Sequence, residues 1–333
     1  MEWIYTTGIS IIQNLQGLGD WLLIPMRFFT LLGDELFYLL VAPAIFWCLD
    51  AGAGLRMGLY LMVCSGLNNA LKIFFNGPRP YWYTQDVKAL STNPETSFGV
   101  PSGHAQNAVV FWGTLAHELR RKWVWVVAIL LMFLIGISRV YLAVHFPHDV
   151  LVGWLIGALL LWGLIKLEKP LGAWLKKTSV ATQLVAALAA SLALILLVIL
   201  ARISLGSWTI PAEWIANASA AYPDEDPINP LALSGVISNA GAFFGMACGA
   251  IMLYRGGWFD AHGSAGQLAL RYLIGLVGTA VFYFGLRAVF PGGEDAVALL
   301  LRYTRYGLAG FWVTGLAPML FIKLKLAQPA WRT

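Results

Sequence analysis

The dominant feature of the chain is the recurrence of long apolar stretches separated by short polar segments. A run of roughly 20 apolar residues is the length that an α-helix needs to cross a bilayer. The pattern therefore predicts an all-α fold, a polytopic membrane helical bundle of about nine transmembrane helices. The predicted spans cover residues 35–49, 55–75, 103–119, 123–144, 148–167, 180–202, 232–254, 268–290 and 304–325.

The amino-terminal stretch has a different pattern. Between residues 3 and 16, apolar positions alternate with glutamine and asparagine, which predicts an amphipathic helix lying in the membrane interface. Residues 17–34 contain two aspartates, a proline and an arginine, so a short re-entrant piece is expected there rather than a span. No basic segment precedes an apolar stretch at the start, and no cleaved signal peptide is predicted.

The chain has no long polar linker, low-complexity tract or obvious internal repeat. We predict two parts of one bundle. Residues 1–170 carry the polar motifs and include the interfacial helix, whereas residues 171–333 supply additional transmembrane helices packed on that core.

The composition supports a membrane protein. Apolar residues make up 59% of the chain and charged residues 12%, whereas an ordinary globular domain carries about a quarter charged residues. The net charge of +5 is spread between the spans, which argues against nucleic-acid binding. Cys48, Cys64 and Cys248 lie inside apolar runs, so we expect neither a disulfide framework nor a metal site from them.

The charges of the loops predict an orientation. With nine spans the connections alternate between two faces, and most of the 22 Lys and Arg residues fall on one face. The positive-inside rule assigns that face to the cytoplasm. The three motifs described next then lie on the extracellular, periplasmic or lumenal side, and the sequence does not distinguish a bacterial cell membrane from the endoplasmic reticulum.

Lys72 and Arg79 form the first motif, at the end of a predicted span. They are seven residues apart, about two helical turns, and Gly77, Pro78 and Pro80 break the helix between or just after them. Both cations can therefore point into one pocket, where a guanidinium and an ammonium suit the oxygens of a phosphoryl group. The alternative is that both anchor the span among lipid headgroups.

The second motif, Pro101-Ser102-Gly103-His104, opens a predicted span. Proline favours the first turn of a helix, and the free N–H groups of a helix start bind anions. Gly103 would let a phosphate approach the backbone, Ser102 adds a hydroxyl, and His104 is placed beside the bound anion. A histidine at a helix start is more often a cap, but the neighbouring motifs favour a role in a site.

The third motif brackets the turn between two predicted spans. Arg139 offers a third cation, and Pro147 is expected to start the next helix with Asp149 in its first turn. A carboxylate there can accept a hydrogen bond from the ring of His145, which strengthens the other ring nitrogen as a nucleophile. We expect His148 to have a supporting or structural role.

The three motifs in this order, Lys-x6-Arg-Pro, Pro-Ser-Gly-His and Ser-Arg-x5-His-x3-Asp, resemble the signature of the type 2 phosphatidic acid phosphatase superfamily. This family includes lipid phosphate phosphatases, polyprenyl pyrophosphate phosphatases and glucose-6-phosphatase. The match covers roughly residues 20–170. It implies a six-helix phosphatase-like core in an integral membrane protein.

The resemblance also implies a mechanism that needs no metal and no cofactor. In the family, the histidine of the third motif attacks phosphorus to give a phosphohistidine. Here that residue is His145, oriented by Asp149. The histidine of the second motif protonates the leaving oxygen, and here it is His104. The phosphoryl oxygens would be held by Lys72, Arg79, Ser102, Gly103 and Arg139.

Short strings of the sequence are similar to known phosphatases, and this local similarity helps to predict the substrate. The strings that begin at Arg79 and at Ser138 are similar to glucose-6-phosphatase, as are the nine spans. Asp149 departs from that enzyme, where a glutamine is expected, and favours the lipid phosphatase pattern. We therefore predict hydrolysis of a lipid phosphate monoester or pyrophosphate. The alternatives are hydrolysis of a soluble sugar phosphate and a non-catalytic lipid carrier on the same scaffold.

The carboxy-terminal part carries no catalytic motif. Gly241, Gly245 and Gly249 repeat at four-residue spacing, which lets another helix approach closely. They predict packing within the chain or a homodimer seam. Arg302 and Arg305, near the outer edge of the last span, are expected to reach the headgroup region or to join the pocket.

Overall fold

The computed structural model describes residues 2–331, and these residues form an all-helical fold. The predicted class is thereby confirmed. Met1, Arg332 and Thr333 lie outside the described residues, and so do the predictions that involve them: the outer bounds of the two predicted parts, the start of the chain, and the contribution of Arg332 to the loop charges.

The described residues form fifteen α-helices. One 3-10 turn at Asp20–Leu22 precedes the second helix, and π-helical turns at Val281–Gly285 and Trp312–Leu316 interrupt the last two spans. In chain order the helices are α1 (Glu2–Gly17), α2 (Leu23–Leu31), α3 (Glu35–Cys48), α4 (Ala51–Phe75), α5 (Pro80–Tyr83), α6 (Gly103–Leu119), α7 (Lys122–Tyr141), α8 (Pro147–Lys177), α9 (Val180–Ser204), α10 (Ala212–Ala221), α11 (Ser234–Arg255), α12 (Ala265–Ala280), α13 (Leu286–Val289), α14 (Ala296–Phe311) and α15 (Ala317–Lys323).

Fewer helices than predicted are long and apolar enough to cross a membrane. Within residues 2–331 there are seven, or eight if Asp20–Leu31 and Glu35–Cys48, which meet at 48°, count as one broken span or a re-entrant loop. The predicted count of nine included α3 and α6. These are helices as expected, but they are only 14 and 17 residues long, at or below the lower limit for a span.

The predicted amino-terminal helix is confirmed as α1. Its Ile12 is fully buried in a cluster with Val140 and Phe146. A Cβ placed on Gly8 would lie 2.7 Å from the Phe146 ring, so a small residue is required at this contact. One face of α1 therefore packs on the segments of the third motif, and its place at the membrane interface stays a prediction.

The chain divides into two compact units that are interleaved along the sequence. The first unit comprises Met1–Phe37, Leu67–Leu161 and Val198–Ala232, and it contains all the residues of the three motifs. The second comprises Tyr38–Gly66, Trp162–Leu197 and Leu233–Thr333. The predicted division at residue 170 remains a prediction.

Within the second unit, the glycine repeat of α11 packs on α14. A Cβ on Gly241 would lie 2.4 Å from the Tyr303 carbonyl oxygen, and one on Gly245 would lie 1.8 Å from the Gly307 carbonyl oxygen. A Cβ on Gly249 would meet the Thr314 hydroxyl at 2.4 Å in the π-helical turn that follows. Because the glycine face is covered within the chain, a homodimer through these residues finds no support.

Candidate active site

Arg79 lies at the centre of the candidate site, one residue before α5. Its side chain is fully buried and all three of its nitrogens donate hydrogen bonds. Nε donates to the Ser97 carbonyl at 2.6 Å, Nη1 to the Val144 carbonyl at 2.8 Å, and Nη2 to the Phe98 carbonyl at 3.2 Å. Nη1 also lies 3.2 Å from His145 Nε2. One arginine therefore joins the first motif to the third.

Lys72 lies in the last turn of α4 and is buried. Its ammonium donates to the Phe98 carbonyl, which also accepts from Arg79. After α4 the backbone turns at Asn76, whose φ of 39° is left-handed, and Gly77 follows it. This helix break was predicted from the glycine and prolines. It allows both cations to reach one acceptor.

Arg139 is the third buried cation, in the last turn of α7. Its Nη1 donates to the Thr30 hydroxyl at 2.6 Å. Its Nη2 donates to the Glu95 carboxylate. Thr30 lies in α2, in the stretch predicted as a re-entrant piece, so that stretch supports the candidate site directly.

Glu95 was not predicted, and it occupies the space between two of the cations. Its carboxylate accepts from Arg139 and lies 3.3 Å from Arg79 Nη2. Burial by itself would raise the pKa of this carboxyl, but the Arg79 and Arg139 guanidiniums outweigh that effect and hold the pKa well below its usual 4.5. Glu95 follows Pro94 in an irregular loop, where no periodic pattern or motif marks it.

His145 and Asp149 form the pair that the third motif predicts. His145 Nδ1 lies 3.1 Å from Asp149 Oδ2, which also accepts the Phe146 N–H at 3.0 Å. This partner assigns the proton to Nδ1, so Nε2, facing the Arg79 N–H, holds the lone pair. Burial, and then the charges of Arg79 and Lys72, keep the pKa of His145 well below 6.5. The resting imidazole is therefore neutral.

The turn that carries His145 contains a left-handed residue other than glycine. Ala143 has a φ of 56° and is fully buried. The Val144 and His145 N–H groups both donate to the Arg139 carbonyl, at 3.2 and 3.3 Å. Backbone in sparsely populated regions persists where surrounding contacts fix it, and such residues cluster at functional sites.

His148 contacts the same aspartate from a different side. Its Nε2 lies 3.2 Å from Asp149 Oδ1, the oxygen that His145 does not use. The His148 ring stacks on Phe146 with centroids 5.3 Å apart. These contacts are those expected of a residue that supports the carboxylate.

The second motif starts α6 as predicted, with Ser102 as its N-cap. The Ser102 hydroxyl accepts the N–H three residues later at 3.4 Å, and the Ser102 N–H donates to the Asp149 carbonyl at 2.9 Å. A Cβ on Gly103 would lie 3.1 Å from Asn68 Oδ1. Gly103 thus makes room for Asn68, whose Nδ2 donates to Gln106 Oε1 at 2.8 Å and which the sequence did not indicate.

His104 presents a buried nitrogen to the same region. Its Nε2 has no hydrogen-bond partner within the described residues. The ring lies against Gly33, where a Cβ would come within 3.3 Å of it. Arg139 and Glu95 are among the charged groups that act on this ring. A buried polar atom without a partner is unusual in a folded protein and points to a group supplied by a ligand.

Aromatic rings flank the cations within the first unit. The Arg79 guanidinium lies 5.9 Å from the centroid of a Trp82 ring. Trp82 packs on Trp214 with centroids 6.5 Å apart, and Trp208 packs on Phe98 at 5.7 Å. Trp208 and Trp214 also contact each other at 6.1 Å. The segment 205–221 therefore covers the site with an apolar wall.

The structure brings all the predicted site residues into the first unit, around Arg79 and Asp149. They are Lys72, Arg79, Ser102, Gly103, His104, Arg139, His145 and Asp149. Three buried cations, a neutral imidazole with an orienting carboxylate, and a second imidazole with an open nitrogen can bind a tetrahedral oxyanion and transfer a proton to or from it. Ser102 and Gly103 are engaged with the helix cap and with Asn68.

Comparison with known proteins places this site in a family. Residues 53–172, which include all the predicted site residues, match the PAP2 superfamily. Phosphatidylglycerophosphatase B of Bacillus subtilis (strain 168) is 35% identical over 159 residues, which cover 44% of this chain and 74% of that protein. The chain belongs to the PAP2 superfamily. The resemblance drawn from the three motifs is confirmed, and this PAP2 protein is a membrane phosphatase, a hydrolase of phosphoric esters.

Similarity to PAP2 proteins extends beyond the site. Residues 237–329 match the PAP2 superfamily phosphatase, transmembrane extension. Human glucose-6-phosphatase 2 is 26% identical over 275 residues, covering 74% of this chain and 76% of that protein. The crystal structure of the first transmembrane PAP2 type phosphatidylglycerolphosphate phosphatase from Bacillus subtilis has a TM-score of 0.44 and 29% identity, covering 51% of this chain and 88% of that one.

Proposed function

We propose that this PAP2 protein hydrolyses a lipid phosphate monoester or pyrophosphate through a phosphohistidine on His145. The observation that carries the proposal is the 3.2 Å contact between Arg79 Nη1 and His145 Nε2. A phosphoryl group held by Arg79 would meet the lone pair of a neutral imidazole. The excess of loop cations on the opposite face supports a site on the extracytoplasmic side.

In the first step, Lys72, Arg79 and Arg139 hold the non-bridging oxygens. His145 Nε2 forms a bond to phosphorus while the bond from phosphorus to the ester oxygen breaks. Asp149 accepts from Nδ1 and stabilises the imidazolium that forms. His104, which takes up a proton as the phosphate dianion binds beside it, gives that proton to the departing oxygen. The three fixed cations offset the charge that develops on the transferring group.

In the second step, a water molecule attacks the phosphohistidine. His104, now neutral, takes a proton from that water as the new P–O bond forms and the N–P bond breaks. Inorganic phosphate leaves, His145 returns to its neutral form, and His104 is again protonated. Every proton and the phosphoryl group are therefore accounted for over one turnover.

The aromatic wall supports a lipid substrate. Trp82 lies beside the Arg79 guanidinium and Trp214 packs on Trp82, so an apolar chain attached to the bound phosphate would contact rings. Phosphatidylglycerophosphatase B, a relative over the site region, bears the name of an enzyme that acts on a phospholipid. A sugar phosphate is the second candidate, because the similarity to human glucose-6-phosphatase 2 runs over 74% of the chain.

The purified protein should release phosphate from lipid phosphates in excess EDTA. A panel of phosphatidic acid, a sphingoid phosphate, a polyprenyl pyrophosphate and glucose 6-phosphate, compared by kcat/KM, measures the preference. We expect the best lipid to exceed the sugar by roughly tenfold or more, because each methylene buried against the aromatic wall contributes about 0.8 kcal/mol.

Other outcomes of this panel separate the alternatives. Higher kcat/KM for glucose 6-phosphate would replace the lipid assignment with the sugar one. Turnover lost in EDTA and restored by a divalent ion would reject the metal-free scheme. Lipid binding without release of phosphate from any member would identify a carrier.

We further propose that Glu95 occupies the place of the phosphoryl group and leaves when substrate arrives. The Glu95→Gln variant keeps the size of the side chain and removes the competing charge. Its inhibition constant for inorganic phosphate should fall by roughly tenfold, since a charge-assisted hydrogen bond contributes about 1.5–3 kcal/mol. In buffer without phosphate its melting temperature should fall, because Arg79 and Arg139 then lack an anion.

The pH dependence of that stability difference follows from the low pKa of Glu95. A carboxyl whose pKa is lower in the folded chain stabilises the fold above its unfolded value of 4.5, and the effect is lost as the pH falls further. The melting difference should therefore be constant from pH 6 to 8. Glu225→Gln, at an exposed glutamate of the same unit, is the matched control. Weaker phosphate binding by Glu95→Gln would mean that Glu95 assists phosphate binding instead of competing with it.

A further inference from the structure

A second cluster of cations lies in the other unit, where α13 and α14 meet their connecting loop. It surrounds a cavity of about 380 Å³. Three arginines and three aromatic residues line most of it: Tyr283, Arg287, Phe290, Arg302, Arg305 and Tyr306. The cavity lies at the junction of two candidate spans, Ala265–Val289 and Ala296–Lys323. Nothing in the proposed reaction uses these residues.

Arg305 is the buried member of the cluster, with 7% of its surface exposed. Its guanidinium lies 5.1 Å from the Tyr306 ring centroid and 5.8 Å from that of Tyr283. Its Nε is buried and has no hydrogen-bond partner within the described residues. The expectation that Arg305 extends into the headgroup region does not fit this burial. A charged group held within a bundle is costly and is a functional candidate by default.

The second unit also shows how a structural arginine is satisfied. Arg271 is 1% exposed, and each of its three nitrogens donates to a backbone carbonyl. The distances to the Leu326, Ala261 and His262 carbonyls are 2.8, 2.7 and 2.8 Å. Arg305 differs because rings surround it, and rings attract a cation without neutralising it.

The nearby acids do not neutralise the cluster. Glu294 accepts the Leu233 and Ser234 N–H groups, at 2.8 and 3.2 Å, at the start of α11. Asp295 caps α14 by accepting two N–H groups, at 3.0 and 3.1 Å. The ion pairs between described residues involve none of the three arginines. The cavity therefore keeps a net positive charge.

The backbone beside the cavity is also irregular. Tyr283 lies within the π-helical turn Val281–Gly285. Such turns inside α-helices are rare and are frequent at functional sites. On the other side, the Arg302 guanidinium lies 3.4 Å from the Ser238 hydroxyl of α11, which leaves its other nitrogens available.

From these observations we infer that the cavity binds the phosphate of an anionic phospholipid as a second, non-catalytic anion site. Three arginines supply hydrogen bonds to phosphate oxygens, and Phe290 and Tyr283 supply apolar surface for the start of the acyl chains. Basic pockets between membrane helices bind lipid headgroups in this way. The cavity differs from the active site in having no histidine and no carboxylate on its lining.

Native mass spectrometry of the detergent-solubilised protein tests this inference. The probes are phosphatidylglycerol, phosphatidylcholine and inorganic phosphate. Phosphatidylglycerol is a diester, so it is not a substrate for a phosphomonoesterase. We expect the affinity of the protein for phosphatidylglycerol to fall about 30-fold in the double variant Arg302→Gln/Arg305→Gln and about fivefold in Arg287→Gln. These values follow because each arginine near a lipid phosphate contributes about 1 kcal/mol.

Arg287 is exposed, so its variant keeps the test valid if the double variant does not fold. Arg255→Gln, at an exposed arginine that ends α11, is the matched control and should bind like the parent. If the arginine variants lose affinity for both phosphatidylglycerol and inorganic phosphate, the cavity is a general phosphate site. If they lose affinity for the lipid alone, it is a headgroup site. Equal binding by all variants, or equal binding of phosphatidylcholine, would overturn the inference.

Discussion

His145→Ala is expected to lose phosphatase activity by at least about 10³-fold, because it removes the nucleophile and leaves only the binding contribution of the three cations. The parent enzyme mixed briefly with ³²P-labelled substrate and quenched in alkali should carry label on the protein, since phosphohistidine is stable to base. The variant should carry none. Both readouts follow from the contact of Nε2 with Arg79 and of Nδ1 with Asp149.

His117→Ala is the matched control, because His117 lies in the last turn of α6, away from the motif-bearing end of that helix. It should retain activity and labelling. His145→Gln fills the space that alanine leaves empty, so it separates loss of chemistry from loss of packing. Turnover that survives in both His145 variants would reject the assigned nucleophile.

The His104→Ala substitution is expected to lower kcat/KM for alkyl phosphate esters by roughly 10²–10⁴-fold, which is the usual contribution of a positioned proton donor. The loss should be much smaller for an aryl ester such as p-nitrophenyl phosphate, whose leaving group needs no proton. A plot of log kcat/KM against leaving-group pKa should therefore be steeper for the variant than for the parent. The open Nε2 of His104 motivates this expectation.

The leaving-group series also tests the alternative that His104 is a helix-start residue with a structural role. A structural defect would lower kcat/KM by one common factor for every ester. The same factor for alkyl and aryl esters, with the variant folded, would remove His104 from the proton-transfer step. Burst kinetics with the aryl ester would then show whether the second step is slowed instead.

The sequence predicts much of the fold and of the site because both depend on local patterns. Apolar runs mark the spans, and the breaks near Gly77 and Pro147 place cations and histidines at helix ends. Within residues 2–331, seven or eight helices pass the length and hydropathy limits for a span, against about nine predicted, because α3 and α6 are short.

The residues that were missed depend on contacts between distant segments. Glu95 lies in an irregular loop and acquires its position from Arg79 and Arg139. Asn217 donates to the Trp82 carbonyl at 3.0 Å, across 135 positions of sequence. No periodicity encodes such a pairing. The assignment of residues 198–232 to the compact unit of the site therefore required the structure.

The hydrogen bonds of Arg79 have a practical consequence for interpreting variants. The same guanidinium that would bind the anion also cross-links Ser97 and Phe98 to Val144. Replacing Arg79 therefore removes a ligand-binding group and the hydrogen bonds that hold these backbone segments together. A screen that scores cell growth or bulk turnover would merge the two losses, so an inactive Arg79 variant becomes informative only after the amount of correctly inserted protein has been quantified.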